Sequence, residues 1–157
     1  MDLPSLMQEL ATRIGLGTVD LDPDGGAQIV LGEQYIVDIA KAEDGPGFHL
    51  SAAVGSVPPD RPREAVYAEL LTANLQGQGT GGTTLALDRL LDEIVLCRYL
   101  AHDDLAFGDF ERELVTFVNA LDTWQTRLAT VGTDKTRSEP QDKPPFEHPP
   151  GFNIIRG

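Results

Sequence analysis

Leu3, Leu6, Met7, Leu10 and Ile14 recur at the spacing of one helical face, so the chain opens on an amphipathic helix. Asp2 is placed to cap it, Pro4 is tolerated in its first turn, and Gly15 or Gly17 ends it. The period then shortens. Ala27 to Leu31, Gln34 to Ala40 and Phe48 to Val54 are rich in branched and aromatic residues and are separated by Gly32-Glu33 and by Glu43 to Gly47, so they read as three strands. Along the third, Phe48, Leu50, Ala52 and Val54 alternate with His49, Ser51 and Ala53, the pattern of an antiparallel sheet covered on one face.

The prolines at 58, 59 and 62 break the alternation and introduce a second helix, capped by Asp60 and carrying Val66, Leu70, Leu71 and Leu75. It dies in Gly77 to Gly82. Two further strands, Thr83 to Asp88 and Glu93 to Leu100, are joined by Arg89-Leu90-Leu91-Asp92. The strongest stripe comes last: Phe110, Leu114, Phe117, Val118, Leu121, Trp124 and Leu128, with Asp104 or Asp109 as cap. The order is α-βββ-α-ββ-α, an α+β fold with a twisted antiparallel sheet of about five strands and three helices. Residues 1–129 form one domain. Residues 130–157 hold five prolines among polar residues and read as a flexible tail, whose removal should leave the fold intact. Two apolar clusters interrupt that tail, Phe146 and Phe152-Asn153-Ile154-Ile155-Arg156, the make-up of a short docking motif.

Charge narrows the partners. Residues 1–129 hold 21 acidic and 8 basic side chains, and 130–157 hold 4 of each, so the whole formal charge of −13 belongs to the folded part. Such a surface repels phosphate backbones and anionic lipid, which argues against nucleic acid, and suits a basic or unfolded protein partner. The lone Cys97 allows no internal disulfide and lies in an apolar run, as a small buried hydrophobe does. The N-terminus lacks the pattern of a signal peptide, and no apolar run approaches the ~20 residues needed to span a bilayer, so the expected compartment is the cytoplasm, without membrane insertion.

Three patterns hint at chemistry. Asp20-Leu21-Asp22-Pro23-Asp24-Gly25 opens like a calcium loop, but Leu31 stands where the twelfth-position Glu belongs, and a solvated turn is the better reading. Gly77-Gln78-Gly79-Thr80-Gly81-Gly82 satisfies a dinucleotide-type glycine pattern, yet it follows a helix and precedes a strand, the reverse of the order that puts pyrophosphate on a helix N-terminus. His102 beside Asp103 and Asp104 reads as a polar loop before a helix. No metal, cofactor or catalytic residue is assigned, and the chain is expected not to be an enzyme.

Leu70-Leu71-Thr72-Ala73-Asn74, the glycine loop, and Leu85-Ala86-Leu87-Asp88 together resemble the class I chaperones of bacterial type III secretion systems, the Tir-chaperone type, whose second helix ends in Leu-Leu-x-x-Asn before a Gly-rich loop and such a strand. The resemblance runs from about Leu3 to Leu128. Two departures are the hairpin at 89–92, which lacks the expected glycine, and the long tail. The likeness implies a homodimer, with no cofactor, that holds the N-terminal region of one or more secreted effectors in a non-globular form and keeps them competent for secretion. The secretion-system ATPase or export apparatus is a further implied partner. A regulatory or adaptor protein on the same fold is the alternative. Candidate effector contacts are Leu3, Leu6, Leu10, Ile29, Leu31, Ile36 and Val37. Candidate dimer contacts are Val66, Leu70, Leu71, Leu75 and Leu87, on the helix and hairpin whose apolar surplus exceeds what they need to cover themselves. The tail's apolar clusters are placed either to lie back across the effector groove or to engage the secretion machinery.

Overall fold

The computed structural model describes residues 1–13, 21–32, 34–43, 45–101 and 105–132. Its elements run α1 (Leu3–Arg13), β1 (Ala27–Leu31), β2 (Tyr35–Lys41), β3 (Phe48–Ser56), α2 (Arg63–Asn74), a single 3₁₀ turn (Leu75–Gly77), β4 (Thr84–Asp88), β5 (Glu93–Leu100) and α3 (Phe107–Leu128). The expected order holds throughout. The five strands form one antiparallel sheet in the order β1-β2-β3-β5-β4, so β1 and β4 are its edges.

The alternation in the strands sets what faces the helices. Ala27, Ile29 and Leu31 of β1, Val37 and Ile39 of β2, Phe48, Leu50, Ala52 and Val54 of β3, and Ile94 and Leu96 of β5 are buried. Against them pack Leu3, Leu6, Met7 and Leu10 of α1 and the full stripe of α3 from Phe107 to Trp124. One irregularity serves this packing. The β3–β5 register slips between Ala53 and Gly55, and Gly55 adopts φ +149° where a Cβ would come within 2.8 Å of a Leu128 methyl. The bulge lets α3 lie down on β3.

Caps differ from expectation at two helices. Asp2 does cap α1, its Oδ1 accepting from the Ser5 amide at 3.0 Å. At α2, however, Pro62 is the extended residue before the helix and no side chain caps it, because Asp60 lies two residues too far back. At α3 the cap position falls on Ala106, and Asp109 sits inside the first turn, where it offsets the helix dipole and pairs with Arg112. Asp104 and the helix-ending glycines 15 and 17 lie outside the described residues.

Ordered packing continues beyond Ala129. Arg61 donates to the carbonyls of Leu128 (3.0 Å), Ala129 (2.5 Å) and Val131 (2.9 Å), satisfying orphan acceptors at the end of α3. Val131 is fully buried, and the Gly132 amide donates to Glu69 Oε2 at 2.8 Å. Residues 133–157, the rest of the expected tail, lie outside the described residues.

Candidate protein-binding surfaces

Helix α2 carries apolar residues on two faces. Val66 and Leu70 are buried against the sheet, whereas Leu71 and Leu75 are 69% and 67% exposed. A helix that only covered a core would present polar residues there. Two side chains fix how α2 lies along the sheet. At its end, Asn74 stands in for a missing strand: its Nδ2 donates to the Leu85 carbonyl and its Oδ1 accepts from the Leu85 amide, both at 2.9 Å. This covers part of the open edge of β4. At its start, Arg63 forks onto Asp92 through Nη1 (2.6 Å) and Nη2 (2.5 Å), and Nη1 also reaches the Tyr67 hydroxyl at 3.0 Å. The Arg63 guanidinium holds the Asp92 carboxyl below its ordinary pKa.

The hairpin between β4 and β5 turns without glycine. Asp88 Oδ1 accepts from the amides of Leu90 (2.8 Å) and Leu91 (3.2 Å), and Asp92 takes the left-handed conformation at φ +54°, which Asp tolerates better than most residues. The turn therefore holds Leu90 and Leu91 out in solvent, 95% and 71% exposed. Leu71, Leu75, Leu90 and Leu91 thus occupy α2 and the hairpin pinned to it, while among the described residues Ile36 and Tyr99 are the other exposed large apolar side chains.

The glycine loop is a packed structural link. Gly79 lies so close to α2 that a Cβ would come within 2.8 Å of Ala73 Cα, and its carbonyl accepts from Trp124 Nε1 at 3.2 Å. Buried Thr80 and Thr83 exchange hydroxyl-to-carbonyl bonds at 2.5 and 2.6 Å. Arg98, pointing inward from β5, pairs with Glu113 on α3 and donates to the Gly81 carbonyl at 3.3 Å. The acidic turn at 22–26 is likewise closed on itself, with Asp22 Oδ1 accepting from the amides of Asp24 (3.0 Å) and Gly26 (2.6 Å). Among the described residues no group of three His, Cys, Asp or Glu gathers as metal ligands. Cys97 is half-buried, and burial raises its thiol pKa, which disfavours the reactive thiolate. None of the described helices is long and apolar enough to cross a membrane. His102, Asp103 and Asp104 lie outside the described residues.

Against this geometry the expected contact residues divide. Leu3, Leu6, Leu10, Ile29, Leu31 and Val37 are all buried within the chain, so as surface contacts they are corrected to core. The reason is the alternation itself: on β1 and β2 the odd-numbered residues face α1 and α3. Ile36, on the opposite face of β2, is 52% exposed and keeps its candidacy. Of the dimer candidates, Val66 and Leu70 are core, Leu87 is partly buried, and Leu71 and Leu75 are exposed. Leu90 and Leu91, left out of the contact set, are more exposed than either. The signal for them was two adjacent leucines inside a hairpin turn, where burial is geometrically hard.

The profile of the Tir chaperone protein (CesT) family matches residues 5–125, spanning every element from α1 to most of α3. The chain belongs to the Tir chaperone family. A Chlamydia pneumoniae protein is 31% identical to this Tir-chaperone family member over 127 residues, which cover 80% of the chain and 95% of the relative. A chain of the crystal structure of the ExsC–ExsE complex matches it with a TM-score of 0.69 at 26% identity, over 82% of this chain and 97% of that one. The Yersinia pestis type III secretion chaperone SycH, solved in complex with a stable fragment of YscM2, shares the fold, with a TM-score of 0.60 at 21% identity over 77% and 98% of the two chains. The protein is therefore a Tir-type secretion chaperone and not an enzyme.

Proposed function

We propose that the protein acts in the bacterial cytoplasm as a homodimer that binds the N-terminal region of one or more secreted effectors in an extended, non-globular form and keeps them competent for type III secretion. The observation that carries the reading is the leucine surface of α2 and the β4–β5 hairpin. Four large apolar side chains are held in water by two dedicated locks, the Asn74–Leu85 pair and the Arg63–Asp92 fork. The fold of the domain itself gains nothing from that arrangement, whereas a second copy of the same surface buries it. The solved relatives support the other half of the reading, since ExsC–ExsE and SycH with its YscM2 fragment are complexes with protein partners. The folded body adds a net charge of −13, which favours capture of a segment richer in Lys and Arg than in acids. Ile36, exposed on β2 one strand in from the open edge of β1, is the proposed point of effector contact, and an extended segment can add to the sheet at that edge.

Affinity capture from the native host, followed by mass spectrometry, tests this. The reading expects a secreted protein bound through its N-terminal region. A retained partner that is never secreted would contradict it and identify the chain as a regulatory adaptor.

A further inference from the structure

The end of the described chain is aimed. The Arg61 fork and the bond from the Gly132 amide to Glu69 fix the last residues against α2. Gly132, at φ +74°, lies so near Val66 that a Cβ would come within 2.8 Å of its methyl. The 25 residues from Thr133 to Gly157 therefore start from a fixed point on the flank of α2. At about 100° per residue, Leu71 projects roughly 140° away from Val66, onto the back of the same helix, and Leu75 follows it at the start of the 3₁₀ turn that leaves the helix end. The way over that back is lined by exposed Ala65, Ala68 and Thr72, small enough for a chain to cross closely. With a helix diameter of about 10 Å and a rise of about 1.5 Å per residue, the start point and the leucine ridge are thus roughly 12 to 17 Å apart.

We propose that the terminal segment Phe152-Asn153-Ile154-Ile155 docks on Leu71 and Leu75 of its own chain and must leave for α2 to pair with a second copy. The inference rests on the proposed homodimer and adds its regulation. The residues from 133 to 151 act as a tether of 19 residues. With five prolines in it, a segment of that length reaches up to about 59 Å at the ~3.1 Å per residue of an extended proline-rich chain. This exceeds the distance from Gly132 to any point on the back of α2, itself about 18 Å long. The tail, with four residues of each sign, also escapes the self-repulsion of the acidic body. Tethered at an effective concentration on the order of 1 mM, a motif with a free affinity of only about 100 μM covers the ridge roughly nine-tenths of the time. Dimerisation then displaces two tails, so their removal should tighten the dimer by up to about 100-fold.

The test compares the full chain with a version ending at Gly132, which retains every contact made by Arg61 and Glu69. Sedimentation equilibrium should show the shorter version dimerising at least about 10-fold more tightly. In the full chain, Phe152→Asp with Ile155→Asp should reproduce that gain without touching the domain. At protein concentrations below the dimer dissociation constant, a fluorescent peptide of residues 143–157 should bind the shorter version saturably, and Leu71→Asp with Leu75→Asp, both at exposed positions, should abolish binding while the circular dichroism is unchanged. An unchanged or weaker dimer on truncation overturns the proposal, as does peptide binding that survives the leucine substitutions or fails to occur. If neither version dimerises, the homodimer reading fails on its own, and the peptide measurement still decides whether the tail docks.

Discussion

Asn74 shows how much one side chain settles. Its amide supplies both halves of a strand's hydrogen-bonding pair to Leu85, so Asn74→Ala strips two bonds from the edge of β4 and should cost about 2 kcal/mol in urea denaturation. Asn74→Asp keeps an acceptor for the Leu85 amide but sets a carboxylate oxygen against the Leu85 carbonyl, and should cost at least as much. Val131 makes a second case. A chain ending at Thr130 loses a buried Val and the bond from Gly132 to Glu69, whereas one ending at Gly132 loses neither. The first should melt several degrees below the second. Nothing in the composition around Thr130 announces that difference, because the Arg61 fork joins residues 67 to 70 positions apart.

At the scale of elements, most of the architecture was legible because period and burial agree. The alternation of β3 and the stripe of α3 both point at one core, and the structure places them there. What periodicity does not reveal is which apolar face a partner covers. On α1 and β1 a single apolar face exists and the core takes it, which is why Leu3, Leu6, Leu10, Ile29 and Leu31 are interior. On α2 two faces are apolar, so Val66 and Leu70 could not be told from Leu71 and Leu75 until the sheet was laid against one of them. The hairpin was opaque for another reason: its turn is built by the Asp88 side chain and a left-handed Asp92 in place of glycine. The Arg63–Asp92 fork that orients it should respond to acid. A carboxylate with a depressed folded-state pKa stabilises above its ordinary value of 3.8, and the contribution disappears as the pH falls through the lowered folded value. The loss of stability of the native chain below pH 3.8 should therefore exceed that of Asp92→Asn, measured as melting temperature against pH. Leu90→Asp with Leu91→Asp, at positions where folding needs no apolar group, should leave the melting temperature within a few degrees while weakening the proposed dimer in sedimentation.

For the molecule as a whole, the folded part concentrates negative charge while its arginines are largely engaged internally: Arg61 at the end of α3, Arg63 on Asp92, Arg98 on Glu113, Arg112 on Asp109, and Arg127 over the Trp124 ring. The surface left to a partner is acidic and, along α2 and the hairpin, apolar, which suits pairing with itself and capture of an unfolded segment better than any reaction. Native mass spectrometry of the chain co-purified with its captured partner tests this most directly. Two copies of the chain are expected with one secreted protein, held through an N-terminal region that loses its protease protection once the chaperone is removed. A single copy bound to an already folded partner would contradict it.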